Sequence, residues 1–428
     1  MSARSVLLVN HTASVSGAEH SLLDLLGALP DEVVPVVACP PGPLAEAVAE
    51  LGVRVVPLRG TDAGLKLHPT GTPRALAKLL ADGVAVARAA RRAGAVVVHA
   101  NSTRAALACA IARASGGPAL AVHVHDVLGR DRVSSVVRRV IAATADAVLA
   151  NSKHVAASFI AAGPEVVVVE NPVDLDRFDP ARVDGRAARR ELGIGEDEPV
   201  LALVGQITPW KGQDTAIRAL AALPERFDAA RLLIVGEPVF ASAGTRYDNV
   251  AYLDELRRLT RELGLEQRVA FLGARADVPD LLAATDIALM PSWEEPFGRV
   301  AIEAMAMRVP VLATDRGGPR EILAGGGGML LAPRQPELWA AAITELLDDP
   351  QERRRMGETG RQQAVLRYHL AGFVRRVLAG WDAAERARAS GRRRAGPQLR
   401  PQRDEPDADG QAEDHPEDDV AAGLRLLR

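Results

Sequence analysis

The sequence predicts an α/β protein made of two Rossmann-like domains. Strand-length runs of Val, Leu and Ala recur along the chain, and helical stretches separate them. The alternation breaks around residues 179–199 and then resumes. Near-continuous apolar strands joined by helices form parallel sheets covered on both faces, so each series is a doubly wound domain. A chain of 428 residues is too long for one ordinary core and suits two.

In order, residues 6–9, 33–38, 53–57, 96–100, 119–123, 147–150 and 166–170 read as strands of the first domain. Helical patterns at 19–29, 43–51 and 104–114 lie between them. Pro180, Gly185 and the charged run 186–191 then interrupt the apolar pattern. Strands follow at 200–205, 231–236, 269–273, 287–290 and 309–314, and 368–389 reads as a last amphipathic helix. The expected division is therefore 1–185, 186–367, a closing helix at 368–390 and a tail at 391–428. The tail opens with Arg392, Arg393 and Arg394, turns acidic over 404–419 and scatters Pro and Gly. It has too little apolar surface to order itself.

Composition narrows the function classes. Hydrophobic residues at 48% and charged residues at 25% describe a soluble globular protein, and a net charge of -3 argues against a general nucleic-acid binder. Abundant Ala, Val, Leu and Arg with few aromatics suggest a GC-rich bacterial genome. Cys39 and Cys109 have no metal-site or disulfide spacing and sit among apolar residues, which points to a reducing cytoplasm. The apolar run at 6–9 is strand-length rather than signal-length, and no window is long and apolar enough for a membrane span.

The segment Pro291-Ser292-Trp293-Glu294-Glu295-Pro296-Phe297-Gly298-Arg299 and onward to Glu303 carries the most chemistry. It reads as a strand end, a tight loop and a helix start. The first N–H groups of a helix lack internal partners and carry partial positive charge, so they suit a phosphate or diphosphate. Glu295 before the turn and Glu303 two turns into the helix can grip hydroxyls at the two ends of one ligand. A diphosphate flanked by polyols describes a nucleotide sugar. Upstream, Gly205 ends a strand and Lys211 follows in its loop, where it offers phosphate a flexible point charge. Trp210 reads as a packing residue.

In the first domain, His123 and His125 share one face of a strand end by alternation. His125 is nearer the C-terminal edge, where open α/β sheets bind ligands. The loop Ser14-Val15-Ser16-Gly17-Ala18-Glu19 opens a helix, with Ser14 and Ser16 as possible N-caps, but lacks the G-x-G-x-x-G of dinucleotide sites.

The Glu295/Glu303 spacing resembles the E-x7-E signature of the retaining, GT-B-fold glycosyltransferases of family 4. Other segments from about residue 5 to 381 extend the likeness in the right order. Val204 to Gly212 resembles the family's G-R-x-x-x-x-K-G, with Lys211 at the phosphate lysine and Gln206 where the family has arginine. The loop at Gly17 resembles Gly-Gly-x-Glu. Asn151-Ser152, Asn171-Pro172-Val173-Asp174, Gly273-Ala274-Arg275 and Gly317-Gly318-Pro319-Arg320-Glu321 match further segments.

The resemblance implies two domains facing across a cleft, with the last helix crossing back to the first. It assigns Glu303 to ribose hydroxyls, Glu295 to the transferred sugar, Lys211 and Gln206 to the diphosphate, and Arg275 to the nucleotide base. Gly17 and the backbone of Phe297, Gly298 and Arg299 approach the diphosphate, Gly317 and Gly318 wall the pocket, and His125 hydrogen-bonds at the reaction centre. It further implies a retaining transfer from a nucleoside-diphosphate sugar without metal or other cofactor. The acceptor stays open among saccharide, lipid-linked glycan and small molecule. Separately, the basic start of the tail leaves open a contact with a partner or with anionic lipid at the inner face of the membrane of a cytoplasmic protein. Two alternatives stand beside the transferase: another GT-B enzyme, such as a nucleotide-sugar epimerase or sugar phosphorylase, and a non-catalytic partner subunit.

Overall fold

The structure is a computed structural model that describes residues 3–60, 71–129, 131–159, 163–239 and 247–391. The expected tail beyond Gly391 lies outside them. The first sheet takes β1 (Arg4–Val9), β2 (Val33–Cys39), β3 (Arg54–Pro57), β4 (Val97–Ala100), β5 (Ala119–Val124), β6 (Ala147–Ala150) and β7 (Glu165–Val168), in the spatial order 3-2-1-4-5-6-7. The second takes β8 (Val200–Val204), β9 (Arg231–Val235), β10 (Val269–Gly273), β11 (Ile287–Met290), β12 (Val311–Thr314) and β13 (Gly328–Leu331), in the order 10-9-8-11-12-13. All these strand pairings are parallel. The strands β4, β5, β6, β11 and β12 are buried at every residue, as their largely apolar sequences favour, with His99, His123 and Thr314 as buried polar exceptions. The edge strand β13 was not anticipated, because the glycine run 325–328 obscures its start.

The first sheet carries α1 (Gly17–Gly27), α2 (Pro43–Glu50), α3 (Gly71–Ala93), α4 (Thr103–Ala114), α5 (Arg132–Thr144) and α6 (Lys153–Ala157). Val86, Ala90, Cys109, Val137 and Ile141 from α3, α4 and α5 pack one face of it. Leu22, Leu25 and Val48 from α1 and α2 pack the other. The second sheet carries α7 (Gly185–Glu191), α8 (Gln213–Ala221), α9 (Asn249–Glu262), α10 (Val278–Ala283), α11 (Arg299–Ala306), α12 (Pro319–Ile322), α13 (Pro336–Asp348) and α14 (Pro350–Arg367). The chain leaves the first sheet at Val168, and Val173 and Phe178 already belong to the core beneath α11.

The last helix, α15 (Leu370–Ala389), returns to the first sheet. Phe373, Val377 and Trp381 join the core formed with α1 and α2, and the Trp381 indole donates to His99 Nδ1 at 2.9 Å. Each sheet reverses its winding at one place, between β1 and β4 and between β8 and β11. Open α/β sheets bind ligands at the C-terminal edge of such a switch point.

Candidate active site

Both switch points carry the chemistry. On the second sheet, Gly205 ends β8 and a short turn at Pro209–Lys211 follows. Lys211 Nζ reaches Glu295 Oε2 at 2.6 Å, and Ser292 Oγ donates to the same oxygen at 2.9 Å. Lys211 Nζ also lies 4.3 Å from the centre of the Trp210 ring. Trp210, half-buried, packs against the lysine, in keeping with its reading as a packing residue.

The loop that presents Glu295 is built on backbone contact. Glu295 bridges to Gly317, and the Gly318 N–H donates to the Glu295 carbonyl at 2.8 Å. Any side chain at Gly317, whose φ is +88°, would run into the Glu295 carbonyl. Gly298 caps α11 with φ of 107°, which lets the loop turn directly into the helix. Phe297 is buried and meets Tyr368 edge-on at 6.0 Å, so its ring anchors the loop from the core side.

Arg299 is the largest departure from the sequence reading, which considered its backbone alone. Its guanidinium crosses to the first domain, donating to Ser21 Oγ at 2.7 Å and pairing with Asp24 at 3.0 Å, both on α1. It also lies 3.5 Å from Glu303. Burial pushes the Glu303 carboxyl above its usual range, and Arg299 and Arg177 oppose that push. Gly17 faces the Arg299 side chain.

Gln206 and Arg275 stand apart. The Gln206 side-chain amide donates weakly to the Val239 carbonyl at 3.4 Å, and the Gln206 backbone carbonyl accepts from the Gln213 side chain at 2.9 Å. Arg275 is held by Asp277 at 2.5 Å and Glu191 at 2.9 Å, so its guanidinium is committed within its own domain rather than to Lys211, Glu295 or Glu303.

On the first sheet, His125 lies just past β5. Its Nε2 lies 3.3 Å from Asn101 Oδ1, and its carbonyl accepts from Asn151 at 3.1 Å. Asn101 donates its own amide to Asn10, so the shared oxygen accepts and Nε2 carries the proton. Nδ1 then presents a lone pair with no partner among the described residues. Burial lowers the His125 pKa to about 3, with the nearby His99 and Arg299 adding to the shift. His123 lies beneath, its ring 4.1 Å from that of His125.

The domains touch beside these groups. Ser152 Oγ donates to the Pro296 carbonyl at 2.7 Å, His154 Nε2 lies 2.8 Å from Glu294, and the Glu321 carboxylate accepts the Lys153 and His154 N–H groups at 2.9 and 2.8 Å. Glu321 thus ties one domain to the other. A sequence signal for this edge existed. Ala100-Asn101-Ser102 and Ala150-Asn151-Ser152 repeat one tripeptide at two strand ends, and both serines cap the helix that follows.

Two facing α/β domains, with a Lys–Glu pair and a helix start opposite a neutral histidine, define a GT-B architecture. Residues 184–363 match the family described as Glycosyl transferases group 1, and residues 15–177 match Glycosyltransferase Family 4. The chain belongs to this family of GT-B glycosyltransferases. It is 37% identical over 285 residues to the D-inositol 3-phosphate glycosyltransferase of Kineococcus radiotolerans, covering 63% of this chain and 60% of that protein. The enzyme of the same name from Nocardia farcinica is 38% identical over 242 residues, covering 54% of this chain and 50% of that one. The chain thus spans between half and two thirds of these curated relatives. Among solved structures, Anabaena HepE in complex with UDP-glucose superposes with a TM-score of 0.76 at 26% identity, covering 89% of this chain and 99% of that one. Sucrose-phosphate synthase from Thermosynechococcus elongatus shares the fold, with a TM-score of 0.72 at 22% identity, covering 88% of this chain and 98% of that one.

Proposed function

We propose that this chain transfers a sugar from a nucleoside-diphosphate sugar to an acceptor hydroxyl with retention of anomeric configuration. The observation that carries the reading is the placement of Lys211, Glu295 and the start of α11 at one switch point, opposite His125 at the other. The diphosphate rests on Lys211 and the first N–H groups of α11. Donor hydroxyls replace part of the Lys211–Glu295 pairing. Glu303 takes the ribose hydroxyls. Arg299, at the start of the same helix, supplies positive charge that Gln206 does not.

Departure of the diphosphate builds negative charge beside Lys211 while positive charge grows on the sugar. Fixed charges and dipoles aimed at those positions lower the barrier. His125, neutral at physiological pH, hydrogen-bonds a sugar hydroxyl at the reaction centre and does not attack. The acceptor enters along the first domain and attacks from the face the diphosphate leaves. HepE's complex with UDP-glucose supports a UDP-sugar as the first donor to test.

The test is incubation with UDP-sugars and candidate acceptors, following UDP release and reading the product anomer by proton NMR. A product of inverted configuration, or epimerised donor with no transfer, would overturn the reading. Two further outcomes are expected. Glu303→Gln weakens donor binding about tenfold or more, because a charge-assisted hydrogen bond is worth about 1.5–3 kcal/mol; unchanged affinity by calorimetry would remove Glu303 from the site. Transfer also persists in EDTA, since Lys211, Arg299 and the α11 N–H groups supply the positive charge. A rate lost to chelator and restored by Mg2+ or Mn2+ contradicts that scheme.

A further inference from the structure

Arg275, which the family pattern places near the base, is held by Asp277 and Glu191. The next residue of that loop, Ala276, turns its carbonyl to a different arginine: Arg177 Nη2 donates to it at 3.0 Å. Arg177 lies in the segment between β7 and α7, and local structure fixes its place. Asp174 Oδ1 accepts the Asp176 and Arg177 N–H groups, both at 3.0 Å, and closes a turn. Phe178 is buried in the core beneath α11, and Arg361 donates to its carbonyl at 2.8 Å. The Arg177 guanidinium lies 5.3 Å from the centre of the Phe178 ring. Arg177 is therefore held between a closed turn and an anchored ring.

Its charge is uncommitted. Of the nearby acids, Asp174 closes the turn, Asp176 pairs with Arg182 and Asp179 with Arg361. Arg177 itself is exposed and forms no ion pair among the described residues. Its field nevertheless reaches the cleft. Burial raises the Glu303 carboxyl, and Arg299 and Arg177 oppose that push. Burial lowers the pKa of His20 on α1, with Arg299 and Arg177 adding to the shift and Asp24 opposing it. Arg177 thus links the loop after β10 to the carboxylate that receives the ribose.

A guanidinium carries donors only, and the bond to Ala276 leaves the others free. Uracil and guanine present keto oxygens, which accept such donors. Adenine carries an amino group where guanine has its keto oxygen, and an amino group is itself a donor. A donor facing a donor is a mismatch that lowers affinity for the wrong ligand. We propose that Arg177 reads the base of the donor nucleotide and selects one with a keto oxygen, uracil or guanine, over adenine. The selection rests on the nucleotide-sugar reading above and extends it from the ribose to the base.

The full chain is titrated with UDP, GDP and ADP by calorimetry. UDP or GDP is expected to bind at least about tenfold tighter than ADP, the scale of one charge-assisted hydrogen bond. Arg177→Ala should lower that affinity about tenfold and leave ADP within about twofold of its wild-type value, so that the preference disappears. Arg177→Lys should keep part of the preference, because a cationic donor remains without the planar fork. A linker that is merely distorted would weaken all three nucleotides alike, so the loss of discrimination separates base reading from a structural role. The ligand-free melting temperature reports whether the variants fold. Tightest binding of ADP by the wild type, or an Arg177→Ala effect that is absent or equal for the three nucleotides, overturns the proposal. Failure of the wild type to bind any of the three would instead sink the nucleotide-sugar reading on which it rests.

Discussion

Replacing Lys211 with alanine is expected to lower turnover by roughly 100-fold or more, the scale of losing one preorganised group that stabilises transition-state charge. Two effects combine. The departing diphosphate loses its point charge, and Glu295, buried beside Ser292, loses the partner at 2.6 Å that balances it. Lys211→Arg should retain more activity, since charge persists though the compact ammonium is gone. Adding Gln206→Arg to Lys211→Ala should recover part of the donor affinity, because it restores a cation in the same loop. Steady-state kinetics of the three variants decide the matter. Wild-type turnover for Lys211→Ala would remove the lysine from catalysis.

Mild acid is expected to destabilise the protein strongly, through three histidines stacked under the cleft. Burial lowers the His99 pKa to about 4 and that of His125 to about 3, and burial with its two neighbours holds His123 well below the usual histidine value. In the unfolded chain each titrates near 6.5. Below that pH the unfolded chain binds protons that the fold refuses. Their contribution is therefore fully present above about 6.5 and is lost as pH falls toward the folded values, at up to about 1.4 kcal/mol per pH unit for each histidine. Carboxylates held low by arginine, such as Asp277 and Asp348, yield only below their ordinary range and add little between pH 7.5 and 5. The melting temperature should fall by on the order of 10 °C across that interval. His123→Phe, beside Phe373 at 6.5 Å, should flatten the dependence. A melting temperature constant from pH 7.5 to 5 would mean that the fold accepts these protons.

The sequence readily shows what is local. Alternation of apolar runs and helices marks the two sheets because each strand is buried on both faces. Glu295, Glu303 and the helix start between them lie within one strand–loop–helix unit, so their relation is fixed by backbone geometry. Lys211 and Glu295 come from separate units, and a family pattern was needed to connect them. The bonds of Arg299 to Ser21 and Asp24, and of Glu321 to the start of α6, join residues far apart in sequence across two domains. No local pattern encodes such pairs, since only tertiary packing brings them together. Arg275 was placed near the nucleotide base by the family pattern alone, and its pairing with Asp277, two residues on, was legible locally.

Nucleotide-sugar binding to the second domain tests the central claim most directly. Thermal shifts with UDP-, GDP- and ADP-sugars are recorded for the wild type and for Glu303→Gln. A ligand that binds only the folded chain raises its melting temperature with concentration. The reading predicts that at least one nucleoside-diphosphate sugar produces a saturable rise in the wild type and that Glu303→Gln needs about tenfold more ligand for the same rise. No shift with any of the three classes, or equal shifts in wild type and variant, would contradict a donor site built on Glu303 and the start of α11.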